Sequence, residues 1–285
     1  MFNSLNNFKM KRILFPTDFS EVATNAFVYA LELAQLVQAE IVVLHSYDLI
    51  PMDDQFFPEN FNEIYDSVEL ANFEQFKEEI PKLRVIMENH KLEHIKMTHR
   101  LMEGDLMANI KKSIKEDQID FLVMGTSDVG EWEALFAGSN SGSVILGLDI
   151  PMFCVPLGVQ FKTIKTIGYI NHYTSKDQET LAAVLAIAKM MNTTVKSLYV
   201  RTSKSELDAA TKKKWEESFN NKPIAFFEVR NDEIKQMTLD FVSHQEIDVL
   251  AMLTYKRNIF EGMFVANYAN KNASGIEIPI LVIHA

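Results

Sequence analysis

Cysteine is almost missing from this chain: there is one, Cys154, among 285 residues. A lone cysteine cannot close an internal disulfide, so a stapled mini-protein is excluded and a reducing compartment is expected. Glycine (10) and proline (8) are too few for a collagen-like or low-complexity chain, and 47% apolar with 24% charged residues is an ordinary globular balance. No apolar run approaches the ~20 residues that a membrane span needs. The first twelve residues carry no apolar leader core. Positive charge is short as well: 28 Lys and Arg against 39 Asp and Glu leave a net −11, which repels nucleic-acid phosphate and anionic membrane alike. These absences point to a cytoplasmic protein that binds neither nucleic acid nor membrane.

What is present is a repeat. Ile119-Asp-Phe-Leu-Val-Met-Gly-Thr126 and Ile247-Asp-Val-Leu-Ala-Met-Leu-Thr254 share five of eight residues at a shift of 128, which then holds without a gap to Pro151/Pro279 and the closing runs 152–155 and 280–283. Nearer the start the shift is 154, placing Ile13 on Ile167, Leu31 on Leu185 and Ala34 on Ala188. The second copy is therefore 26 residues shorter, the loss falling between Leu198 and Ile247. At roughly 150 residues per domain the expected division is 1–158 and 159–285. The two copies differ in charge: residues 1–156 carry −13 and the remainder +2.

In each copy short apolar runs alternate with helix-period segments, the pattern of βαβ units on a parallel sheet. Strands are expected at 12–16, 41–45, 95–100, 121–125 and 152–155, then at 166–170, 194–199, 225–229, 249–253 and 280–283. Ser20 reads as the N-cap of a helix over 21–38 with Ala26, Leu31, Leu33, Ala34 and Val37 inward. Gly104 and Asp105 open a second helix, with Leu106, Ile110 and Ile114 expected inward. The expected fold is α/β, two tandem doubly wound five-stranded parallel sheets of Rossmann-like kind. Much of the negative excess lies between Asp48 and Glu79, together with Phe56, Phe57, Phe61, Tyr65, Phe73 and Phe76. That stretch reads either as a solvated amphipathic helix whose aromatics cover the core or as a surface for a partner.

Open α/β sheets bind ligands beyond the carboxyl ends of their strands, where helix N-termini present free N–H groups. In copy one those ends carry Thr17-Asp18, then His45-Ser46, then Gly125-Thr-Ser-Asp-Val-Gly130. Further on, Gly138-Ser139-Asn140-Ser141-Gly142 precedes an apolar helical run and has the make-up of an anion-binding turn. At these residues the sequence resembles the universal stress protein family in its tandem form, over essentially all of 9–285. The family's nucleotide motif, Gly, two residues, Gly, nine residues, Gly, then Ser or Thr, is met by Gly125, Gly138 and Ser139; its second glycine is Asp128 here, with Gly130 two residues on.

The resemblance implies ATP or another adenine nucleotide as cofactor, with or without Mg2+. Asp18 and Thr17 would stand at adenine or ribose, backbone near Ser46 and Met124 would hold the base, and Gly125 with Gly138 through Ser141 would take phosphate. Asp128 counts against this, since its carboxylate repels phosphate and its Cβ hinders close approach. In copy two the positions of Asp18, Gly125, Gly138 and Ser139 are His172, Leu253, Ala266 and Asn267, so no cradle is expected there. Members with one copy pair through their last strands; 152–155 and 280–283 would make that pair within this chain, giving an intramolecular pseudo-dimer that two chains could extend to a homodimer. The alternative is a scaffold that binds no nucleotide and meets another protein through the acidic aromatic stretch.

Other signals carry less. His90-Lys-Leu-Glu-His94 spells a zinc-hydrolase pattern, but the helix is expected to end there, so the imidazoles need not share a face and no metal site follows. Cys154 has no basic neighbour in sequence and reads as a buried thiol. No general base or metal ligand is identifiable, so no catalytic residue is expected and at most weak ATP hydrolysis.

Overall fold

The apolar runs become strands because each must bury side chains on both faces of a sheet that is covered above and below. The computed structural model describes residues 10–47, 61–126, 148–205, 207–253 and 278–284, with side chains from 66 onward in the 61–126 segment. The first half runs β1 (Lys11–Pro16), α1 (Glu21–Val37), β2 (Ala39–Tyr47), α2 (Phe61–Asn89), β3 (Met97–Glu103), α3 (Leu106–Asp117), β4 (Phe121–Thr126) and β5 (Met152–Pro156). The second runs β6 (Thr166–Ile170), α4 (Ser175–Met190), β7 (Thr194–Arg201), α5 (Ala209–Glu217), β8 (Ile224–Arg230), α6 (Ile234–His244), β9 (Val249–Leu253) and β10 (Ile280–Ile283).

All ten strands join one sheet in the order β3-β2-β1-β4-β5-β10-β9-β6-β7-β8. Each half is parallel throughout, and the order of one half repeats in the other. The seam between them is the antiparallel pair β5–β10, with Cys154 opposite Ile280 and Met152 opposite Val282. The expected closing strands therefore meet inside one chain, and neither is left as an open apolar edge. Both apolar layers run across the seam: Phe15, Val43 and Phe153 share one face with Leu281, Tyr169 and Val195. Leu14, Leu122 and Cys154 share the other with Ile280, Leu250 and Leu198. The halves are repeats of one topology built around continuous layers.

The repeat extends to individual hydrogen bonds. Thr17 N donates to Leu44 O at 2.9 Å and Asn171 N to Leu198 O at 2.8 Å; Leu122 N donates to Pro151 O at 3.0 Å and Leu250 N to Pro279 O at 3.1 Å. Asp120 Oδ2 accepts from Arg12 N, as Asp248 Oδ2 accepts from Thr166 N. Left-handed backbone recurs at Gln38 and Asn192, at Gln118 and Glu246, and at Phe19 and Tyr173.

Ser20 caps α1 as expected, its side chain accepting from Ala23 N, and the inward stripe named above is buried. Asp105 caps α3 in the same way. There one expectation fails: Leu106 is 38% exposed, and Met107, Asn109, Ile110 and Ser113 face inward instead. As the first helical residue, Leu106 sits beside the face that the following turns settle on the sheet. Strand β3 starts at Met97, two residues later than the apolar pattern suggests, because 92–95 form a turn closed by Ile95 N donating to Leu92 O. Cys154 is fully buried, which pushes its thiol well above the usual range. Helix α2 ends at Asn89 before left-handed Lys91, so His90 and His94 do not share a helix. Among the described residues no group of His, Cys, Asp and Glu is placed to hold a metal ion, and no helix is long and apolar enough to cross a membrane.

Candidate functional site

In the first half the direction of the chain's crossovers reverses between β1 and β4, which are neighbours, so a crevice opens at their carboxyl ends. Thr17 and Asp18 leave β1 there, Ser46 lies near the end of β2, and Met124 and Gly125 near the end of β4. The structure thus brings five of the expected site residues to one edge of the sheet. Gly138, Ser139, Asn140 and Ser141 lie outside the described residues, as do Asp128 and Gly130.

The β1–α1 turn is held by its own side chains. Thr17 is buried, and its Oγ1 accepts from Phe19 N at 2.9 Å. Asp18 is exposed; Oδ1 accepts from Ser20 N at 2.9 Å, which leaves Oδ2 facing outward from the turn's hydrogen bonding. Phe19 takes the left-handed conformation at φ 63°, a strained choice for a bulky residue. Its ring packs tilted against His45 at 4.9 Å and edge-on against Phe76 at 6.1 Å, which anchors the turn. His45 Nδ1 lies 2.7 Å from Thr17 O; a carbonyl only accepts, so that nitrogen carries a proton. Ser46 Oγ accepts from Asn109 Nδ2 at 3.2 Å, and the same amide reaches Glu103 O and Gly104 O, tying β2 to the start of α3.

Gly125 has a structural reason that a motif reading misses. A Cβ there would sit 2.6 Å from Val22 O and 2.9 Å from Val22 C, so the end of β4 and the first turn of α1 meet backbone to backbone. Thr126, named at that strand end, was not among the residues expected to touch the ligand. It is buried at the end of β4 and among the described residues its Oγ1 has no hydrogen-bond partner. Its only sequence signal is a hydroxyl directly after Gly125. Asn109, buried beside Ser46, gave no signal at all, because its partners come from β2 and the β3–α3 turn.

The second half keeps the turn and closes it. Asn171 Oδ1 accepts from Tyr173 N at 2.7 Å, as Thr17 accepts from Phe19. Tyr173, unlike Phe19, is buried; it packs against Tyr199 at 5.1 Å and Trp215 at 4.9 Å and donates its hydroxyl to Glu216. Burial first, then that carboxylate, raise the phenol's pKa, so the group stays neutral. Tyr169 OH donates to Asp177 Oδ1 at 2.9 Å, where the first half has Phe15 and Ala23. Met252 and Leu253 are buried, whereas their counterparts Met124 and Gly125 are partly exposed.

Known proteins agree with this architecture. The model of the universal stress protein family matches residues 9–156. A universal stress protein of Thermus aquaticus, from the QAH/OAS sulfhydrylase 3' region, is 27% identical over 147 residues, covering 51% of this chain and 98% of its own. Among solved structures, a universal stress protein of Archaeoglobus fulgidus superposes with a TM-score of 0.68 at 16% identity, over 97% of this chain and 99% of its own. A second, from Pseudomonas aeruginosa, gives 0.53 at 11% identity over 97% and 94%. Those two likenesses speak for the fold of the whole chain. The family match spans more than half of the sequence, and with the α/β architecture built above it shows that this chain belongs to the universal stress protein family.

Proposed function

We infer that this stress-type protein binds an adenine nucleotide at the carboxyl edge of its first half, and that the second half is a degenerate, ligand-free partner. The division follows 1–158 and 159–285. The observation that carries this reading is the difference between the two strand ends: Asp18 is exposed and Met124 and Gly125 are partly exposed, while Met252 and Leu253 are buried, and among the described residues the Thr126 hydroxyl has no hydrogen-bond partner.

The residues present suit a nucleoside. Asp18 offers a carboxylate oxygen to an exocyclic amine or ribose hydroxyls, Thr126 a hydroxyl donor, and the β1 and β2 ends backbone groups beside Ser46. Phosphate would fall to the stretch Gly138, Ser139, Asn140 and Ser141, with Mg2+ screening the charge of Asp128. The nucleotide would act as a bound signal. Location in the cytoplasm, and a partner protein that reads the bound state, belong to the same proposal.

Titration calorimetry with ATP, AMP and adenosine, with and without magnesium, tests it. Saturable heat for ATP that is lost in Gly138→Val and strengthened in Asp128→Gly is the expected result. Absence of heat and of any thermal shift with all three ligands would leave the scaffold reading in its place.

A further inference from the structure

Helix α2 reaches beyond the core it covers. Its buried residues Phe76, Ile80, Leu83 and Met87 form one stripe, spaced four, three and four residues apart, and all lie in its second half. None of the described side chains from 66 to 75 is buried. In that stretch Leu70 is 59% and Phe73 50% exposed, three residues apart and so on the same side of the helix. Acids surround them: 61–77 holds Glu63, Asp66, Glu69 and Glu74 against the single base Lys77. Lys77 already pairs with Glu74 at 3.3 Å. The second half has no counterpart, since α5 in its place has nine residues and is anchored by Trp215.

We propose that the first half of α2 docks a basic amphipathic segment of a partner protein, whose apolar side chains cover Leu70 and Phe73 while its lysines or arginines meet Asp66, Glu69 and Glu74. Charge selects this occupant. A second copy of the same face would oppose acid with acid, and nucleic acid or an anionic membrane would be repelled in the same way. The two apolar side chains supply the contact that survives salt, and the acids supply steering and register. This surface lies on a different element from the nucleotide edge, and the proposal does not depend on nucleotide being bound.

The probe is a labelled helical peptide of about 18 residues built from leucine and lysine in helical period, titrated with the full chain by fluorescence anisotropy. Saturable binding is expected, weakened about tenfold in Leu70→Ser/Phe73→Ser, which leaves every charge in place, and about tenfold between ~0.05 and ~0.5 M NaCl. Val85→Ser, exposed on the same helix but roughly 18 Å further along its axis than Phe73, should leave affinity unchanged. The same peptide with glutamate for lysine should not bind. Circular dichroism checks that each variant keeps its fold. Equal affinity for the double variant and the natural chain, or no binding of the lysine peptide, would overturn the proposal. So would sedimentation showing a dimer of the chain that the double variant dissolves.

Discussion

The two halves share a skeleton and differ at its mouth. Asp120 and Asp248 receive the same backbone donors, and the left-handed positions coincide although Gln38 faces Asn192 and Phe19 faces Tyr173. Register is enforced by backbone bonds that many residues can satisfy, so it survives extensive sequence change. The edge that could hold a ligand has no such tolerance. Replacing buried Phe15 and Ala23 with Tyr169 and Asp177, and Phe19 with Tyr173, exchanges apolar contacts for hydrogen-bonded ones within the same strand order.

The largest effect that can break this comparison is Gly125→Leu, which gives the first half the residue of the second. Its Cβ meets the Val22 backbone, which cannot step aside as a side chain could. A loss of about 3 kcal/mol is expected from such overpacking, read as a lower urea midpoint with an unchanged slope. If stability were retained, the close approach of β4 and α1 would not be the reason for the glycine.

Next in size is the exchange of the polar pair. Tyr169→Phe removes a donor from buried Asp177 and should cost about 1–3 kcal/mol. Phe15→Tyr in the first half should cost a similar amount for the opposite reason, a hydroxyl without a partner. Combining it with Ala23→Asp should recover part of the loss. A double-mutant cycle measures the coupling, expected at about 0.5–3 kcal/mol, and additive losses would mean that the two frames do not superpose as closely as their hydrogen bonds suggest.

The smallest effect sharpens the comparison at the opposite edge of the sheet. Glu40 is buried and pairs with Arg12 and with Lys96, at 2.6 Å for the latter. The aligned positions for Arg12 and Glu40 in the second half are Thr166 and Thr194. Burial by itself would raise the Glu40 carboxyl, but Lys96 and Arg12 outweigh it and hold it below the ordinary range. A depressed folded-state pKa gives stability that is present above the unfolded value of about 4.3 and is lost as pH falls through the folded one. Glu40→Gln should therefore flatten the acid limb of stability against pH. The effect should be about 1 kcal/mol, because the Arg12 and Lys96 side chains keep much of their solvent contact. An unchanged acid limb would assign that limb to other carboxylates.

Much of the fold was legible because it rests on local, periodic signals. Alternating apolar runs marked all ten strands, Ser20 announced its helix, and the family resemblance implied the seam between the two closing strands that the shifts had aligned. What escaped depends on contacts or helical phase that no local apolar pattern marks. The Cβ-sized gap at Gly125 is set by Val22, over a hundred positions away. The Tyr169–Asp177 bond crosses a strand-to-helix turn and follows no periodicity. Leu106 was misplaced because the helical phase is fixed by the later residues Met107 and Ile110, not by the first apolar one. Thr17, Asp18, Ser46 and Gly125 were readable as strand-end residues, with Met124 beside Gly125, and the family resemblance supplied the roles proposed for them. Thr126 and Asn109 were given no role, since an unused hydroxyl and an amide bridging three elements become visible only in three dimensions.

The central claim is that the first half alone binds nucleotide, and the number of nucleotides held per chain tests it most directly. Equilibrium dialysis of the full chain against radiolabelled ATP should give one ATP per chain, falling to none in Gly138→Val. A value of two, or a single site that survives Gly138→Val and is lost when Tyr173 or Asn171 is changed, would place the ligand in the wrong half and contradict the account.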